Sequence, residues 1–346
     1  MSVAGDYKRE LWKRFSFNLF LLLFLIIAFF SALSLGSYEM SLREVLEGLL
    51  RGDAVLWSVR IPRILTALIV GASLAISGAI LQCILKNPLA SPFTLGITHG
   101  AAFGASIAIV FLGAGLMHRV GEGVTITNPY VIPFFAFAGA MVTATIILLL
   151  AKLRNLSPVA IILAGVAMSS LFQAGVMLIQ YFATDIQVAA IVFWTFGDVG
   201  RAGWKEIQIL FLIFVFSFLY FFHRRWDYNT LLLGDDTAKS LGIEVQRIRL
   251  EGMIISSLLT ATCVSFTGII GFVGLVAPHM VRLIIGGDYR FLIPSSTLLG
   301  ALILLASDTV GRSVISPVII PVGIVTSMLG APMFIYLLLK GGSRYD

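Results

Sequence analysis

The chain has 346 residues, of which 58% are hydrophobic and only 12% charged, with a mean hydropathy of +0.98 and a formal net charge of +6. Soluble domains carry about a quarter charged residues, so this composition excludes one and defines an integral membrane protein. Its apolar runs are too long and uniform for barrel strands that alternate between lipid and lumen; the spans are helices, and the length accommodates roughly ten of them at about 20 residues each.

Cutting the chain at charges and at proline and glycine clusters gives apolar segments at 15–35, 62–85, 93–114, 130–151, 157–182, 205–222, 248–268, 270–285, 291–310 and 320–340. The first is long enough to span and lacks a small-residue cleavage site, so no cleavable signal peptide is expected. The segment 270–285 is short and glycine-rich, and its limits are the least defined. Ten spans place both termini on one side, where 16 of the 24 Lys and Arg fall, while the acidic residues divide evenly. Basic loops mark the cytoplasm, so both termini are expected there. The isoelectric point near 9.4 then reflects orientation in a bilayer and requires no nucleic acid. The expectation is an all-α membrane protein forming one polytopic domain over 1–346.

The motif Arg60-Ile61-Pro62-Arg63 opens the second span on the outer side, against the basic bias. Pro62 suits the first turn of a helix, where its missing N–H costs nothing. The arginines either snorkel to outer headgroups or face outward to receive carboxylates from a soluble partner, which the guanidinium fork suits. A third outer arginine, Arg312, follows Asp308 by four residues, a spacing that allows an intrahelical pair. Cys83 and Cys263 lie in apolar runs without metal-ligand spacing, as packing residues would.

The four histidines are scattered, and no metalloprotease or serine-nucleophile element is present. The span interiors hold almost no ionisable groups, which disfavours an intramembrane enzyme and also a stand-alone secondary transporter of a small solute, the principal alternative. Leu233 to Ser240, "LGDDTAKS", ends like a phosphate loop but has Leu233 and Ala238 where that motif needs glycines. Any ATP must therefore bind a separate subunit. The segment is nevertheless informative: within the loop at about 227–246, "LLLGDDTAKSLGIE" reads as two short helices hinged at Gly242. Asp235 or Asp236 can cap a helix after Gly234, and the loop's leucines offer apolar contact surface outside the membrane.

Together these elements resemble the transmembrane permeases of ABC importers for iron-siderophores, haem and vitamin B12. The resemblance runs from about Arg60 to Lys340, through "RIPRILTALIVGASLAISGAILQ", "NPLASPFTLGITHGAAFGA", "FWTFGDVG", "LGDDTAKSLGI", "GIIGFVGLVAPHMVRLIIGGDYR", "SDTVGR" and "PVGIVTSMLGAPMFIYLLL". It implies a fold like the vitamin B12 importer permease: a homodimer of ten-helix subunits, two cytoplasmic ATP-binding subunits and one extracytoplasmic substrate-binding protein, in the cell membrane of a prokaryote. ATP and Mg would bind the ATPase subunits, leaving this chain without a cofactor and without enzymatic activity of its own. By the same resemblance Arg60, Arg63 and Arg312 would receive the binding protein's glutamates. Gly234, Asp235, Asp236, Ala238, Lys239, Ser240, Leu241 and Gly242 would form the element that couples to the ATPase. The pathway would run along the fifth and tenth spans, with Gly165, Ser169, Ser170 and Gln173 as candidates, although small residues there equally serve helix packing. The cargo implied is a metal chelate, with iron-siderophore first and haem or cobalamin next.

Overall fold

The computed structural model describes residues 3–36, 40–114, 117–120, 123–126 and 129–341. All ten apolar segments are helical among these residues. Seven helices are long and apolar enough to cross a membrane by length and composition, and four apolar helices are shorter.

Helix α1 (Val3–Ser34) lines the outside of the bundle and turns Phe15, Phe20, Leu23 and Ile27 outward. The amphipathic α2 (Leu42–Arg51) follows, with Ser41 and Glu44 forming a reciprocal capping box. A π-turn over Leu56–Arg60 then leads into α3 (Ile61–Ile84), with Pro62 in its first turn. Almost every side chain of α3 is buried, because α8 (Trp204–His223), α11 (Val245–Thr267), α12 (Val273–Ile285) and α13 (Tyr289–Ser313) surround it.

Glycine sets the closest of these contacts. A Cβ on Gly78 of α3 would stand 1.6 Å from the Gly274 carbonyl oxygen of α12, and one on Gly71 would stand 2.4 Å from that of Gly300 in α13. Without a hydrophobic drive between helices in lipid, such close backbone approach supplies the packing. Beside this core, α4 (Ile97–Phe111), α5 (Val131–Lys152) and α6 (Pro158–Phe182) pack on one another, and α5 also meets α11. A small antiparallel hairpin of β1 (Met117–Val120) and β2 (Gly123–Ile126) precedes α5, and α7 (Asp185–Thr195) follows α6. Two short helices, α9 (Arg225–Leu231) and α10 (Asp235–Ser240), connect α8 to α11, and α14 (Val322–Gly341) closes the chain.

Two of the expected segments depart from simple spans. The helix expected over 270–285 begins only at Val273, beside the middle of α3, and thirteen residues extend about 20 Å. Residues 268–272 reach it as non-helical chain. They are largely buried, and Asp198 N–H donates to the Thr267 carbonyl at 2.7 Å where that chain begins. Irregular backbone at membrane depth is tolerated where protein covers it. Similarly α4 starts at Ile97, after a left-handed Gly96 packed against Gly165 and Ser169 of α6, not at 93.

Candidate functional site

At one end of the bundle the last carbonyls of α1 lack helical partners, and two arginines supply donors. Arg60 donates to the carbonyls of Leu33 and Ser34, and Arg312 donates to those of Leu35 at 3.0 Å and Ala32 at 3.3 Å. Cations at a helix C-terminus also meet its dipole favourably. Arg312 then reaches Asp308 on its own helix at 3.0 Å, the pair that the four-residue spacing allows. Arg63 meets Asp308 at 2.9 Å and Asp198 at 3.0 Å. The Asp308 side chain is 1% exposed, Arg63 11% and Asp198 33%. Arg60 and Arg63 of one motif and Arg312 of another are thus brought into one cluster. Their guanidinium groups nevertheless point inward rather than outward, because the buried Asp308 and the open end of α1 both demand donors. The sequence reading missed Asp198 as a partner of Arg63; its signal was the "FGDVG" turn, where Asp198 caps the Gly200 N–H.

The opposite end carries α9 and α10. Gly234, with φ of 110°, is the N-cap residue of α10; Asp235 and Asp236 stand in its first turn rather than capping it. Asp235 is engaged elsewhere. Both its oxygens accept from Arg249 of α11 at 2.8 Å, and Lys86, just beyond α3, approaches at 2.7 Å. Arg249 in turn donates to the Ile84 carbonyl at 3.0 Å. Burial alone would raise the Asp235 pKa, but the hydrogen bonds from Lys86 and Arg249 outweigh it and hold the carboxyl below its ordinary value. Beside it, Asn229 of α9 bonds Asp288 at 2.9 Å and accepts the Tyr289 N–H at 2.7 Å, while Arg14 of α1 pairs with Asp288 at 3.0 Å. Burial likewise opposes ionisation of Asp288, and hydrogen bonds from Arg290 and Asn229 override it, so its pKa is lowered.

Short as it is, α10 is therefore tied to α3 and α11, and its neighbour α9 to α13 and α1. Ala238 is fully buried, whereas Leu232, Leu233 and Leu241 are 51%, 66% and 64% exposed. Asp236 and Lys239 face solvent and approach each other at 3.6 Å, and the Ser240 hydroxyl donates to the Asp236 carbonyl. Gly242, at φ of 83°, leads from α10 directly towards α11, so no second short helix follows it, contrary to the two-helix reading.

The four pathway candidates divide between two faces of α6. Gly165 packs on Leu95, and Ser169 returns its hydroxyl to the Gly165 carbonyl at 2.8 Å beside Gly96. Ser170 and Gln173 lie on the exposed face, with Leu163, Val166 and Met177. Among the described residues no group of His, Cys, Asp or Glu could hold a metal ion.

The structure is thus a helical bundle with one end knotted by buried arginines and the other bearing a tethered short helix flanked by exposed leucines. The model of the FecCD transport family matches residues 23–340, and the chain belongs to that family. A protein of Methanocaldococcus jannaschii, named provisionally as an ABC transporter permease, is 55% identical over 98% of this chain and 99% of its own. The hemin transport system permease protein of Yersinia pestis is 34% identical over 93% of this chain and 94% of its own. Other relatives are named for import of Fe(3+)-citrate, iron(3+)-hydroxamate and vitamin B12. A solved structure described as an inward-facing conformation of a metal-chelate type ABC transporter superposes with a TM-score of 0.81 at 33% identity, covering 94% of this chain and 99% of that one. The chain is an ABC transporter permease of this family.

Proposed function

We propose that this chain is the membrane-spanning subunit of an ATP-driven importer, working as a homodimer with two ATP-binding subunits at the α10 end and a substrate-binding protein at the Arg63 end. The α10 end then faces the cytoplasm, in agreement with its basic bias. The chain itself binds no cofactor; ATP and Mg belong to the ATPase subunits, and the metal is cargo.

One observation carries the reading: the turns flanking α10 expose Leu232, Leu233 and Leu241 away from the bundle while Asp235 fastens the helix to α11 and to Lys86 at the end of α3. Exposed leucines at both ends of a surface helix suit a protein partner. Displacement of α10 by that partner would load α11 and α3 through Arg249 and Lys86, and α13 and α1 through the α9 contacts. Closure of the ATPase subunits is thereby converted into movement of the spans, giving alternating access along the exposed face of α6 that holds Ser170 and Gln173. At the other end a binding-protein carboxylate would compete with Asp198 for Arg63, while Arg60 and Arg312 keep the cluster assembled. The cargo is an iron chelate of siderophore type, with haem and cobalamin as the nearest relatives in kind. Weak binding in the pathway suits transport, because a tight site would slow release.

Cys83 and Cys263 are buried, so a cysteine introduced at Leu241 would be the accessible thiol among the described positions. Leu241→Cys is expected to crosslink to the ATPase subunit through a short bifunctional reagent, with the yield changing on ATP binding. Absence of any crosslink in an assembled, transporting complex would refute the coupling role.

A further inference from the structure

The cytoplasmic-end halves of α5 and α11 diverge around a cleft of about 1170 Å³ that the transport reading leaves unassigned. Its walls are largely apolar, with Met141, Leu148 and Leu149 from α5 and Leu250 and Ile254 from α11, and carry the hydroxyls of Thr145 and Ser257 among them. Leu149 and Ile254 are 60% and 42% exposed, so the slot opens sideways from the bundle. Its mouth has a different chemistry. Lys152, Lys239 and Arg247 stand there against a single carboxylate, Glu244. Arg247 is engaged by Glu251 at 2.9 Å and by Glu244 at 3.9 Å, and among the described residues the ion-pair partner of Lys239 is the fully exposed Asp236 at 3.6 Å. Lys152 has no carboxylate partner among the described residues.

Depth identifies the occupant. From Lys152 back to Met141, and from Arg247 on to Ser257, the helices descend ten or eleven residues, about 15 Å. That is one leaflet of a hydrocarbon core about 30 Å thick. A cationic collar at headgroup level above an apolar slot one leaflet deep has the charge and dimensions of a phospholipid.

We propose that the cleft binds one anionic phospholipid, its phosphate between Lys152 and Lys239 and an acyl chain lying between α5 and α11. A zwitterionic choline lipid would bring a further cation to a mouth that already holds three. The ion pairs of α10 reach α11 and Lys86 at the end of α3, and Asn229 of α9 bonds Asp288 at the start of α13, where Arg14 of α1 also pairs; among the described residues no such ion pair or hydrogen bond is seen from α9 or α10 to α5. The lipid supplies that missing brace, joining Lys239 of α10 to the end of α5 and so to the α4–α6 group. This consequence rests on the coupling role proposed for α10, whereas the binding itself does not.

The test is native mass spectrometry of the full-length chain in mild detergent, titrated with phosphatidylglycerol or phosphatidylcholine. One phosphatidylglycerol per chain should be retained at concentrations where phosphatidylcholine is not. Lys152→Ala should weaken retention about fivefold and Lys152→Ala with Lys239→Ala by more than tenfold, as expected for lysines facing an anionic headgroup. Arg154→Ala, outside the cleft, should leave it unchanged. Equal retention of the two lipids, or unaltered phosphatidylglycerol binding in the double variant, would overturn the proposal. Dimers that carry no lipid because a second copy fills the cleft would overturn it too. No ATPase subunit is present in this assay, so its failure and failure of the importer reading are separate results.

Discussion

Asp308 is the most consequential single side chain in the bundle. It is buried between Arg63 and Arg312, and removing one partner of a buried ion pair leaves uncompensated charge, which typically costs about 3–5 kcal/mol. Asp308→Asn should destabilise the folded chain by that order, while Asp198→Asn, at a half-buried rim position, should cost less than about 1 kcal/mol. Denaturant titration in detergent micelles distinguishes the two; equal costs would contradict the assigned geometry. Asp235 makes a pH prediction. Its folded pKa is lowered, so the tether to Arg249 and Lys86 contributes fully above the unfolded carboxylate value and is lost only as pH falls through the lower folded value. Amide exchange across α10 should therefore show no loosening attributable to Asp235 between pH 8 and about pH 5. Asp235→Asn should speed exchange there about fivefold, the equivalent of about 1 kcal/mol for a partly exposed charged pair. At this scale the sequence singled out Arg60, Arg63 and Arg312 by their position at span ends. It could not reveal their inward direction, because Asp308 lies 245 residues from Arg63 and only the fold brings them together.

Among the elements, the ten apolar segments were legible because hydrocarbon enforces long, uniform helices. What escaped were departures from that rule. The short α12 and the buried chain at 268–272 depend on cover from α14 and the α7 region, a tertiary condition with no local signature beyond glycine content. The amphipathic α2 and the apolar α7 fell between longer segments, α7 because eleven residues are too few to read as a span. Gly78 makes the packing of α3 on α12 testable. An added methyl would meet the Gly274 backbone, which cannot swing aside as a side chain can. Gly78→Ala should cost at least the 1–3 kcal/mol typical of overpacking, whereas Gly252→Ala on α11, facing only the side chains of Ile80 and Ile84, should cost less. Thermal unfolding of the two variants decides the order.

For the molecule as a whole, two ends of opposite character frame the account. The arginine cluster is a closed knot, and the α10 end exposes leucines while ion pairs fasten it to α11 and to Lys86 at the end of α3. Family membership was legible because motifs spread along most of the chain recur in order; the cargo was not, since the exposed face of α6, with Leu163, Val166, Ser170, Gln173, Met177 and Tyr181, holds no charged side chain that would select one. The most direct test of the central claim is uptake by proteoliposomes containing this chain, its ATPase subunit and its binding protein, with a radiolabelled ferric siderophore. Accumulation is expected only when ATP is available to the ATPase subunit and is abolished by omitting that subunit. Accumulation by the chain alone, without ATP, would contradict that claim and make the chain a transporter driven from within its own spans.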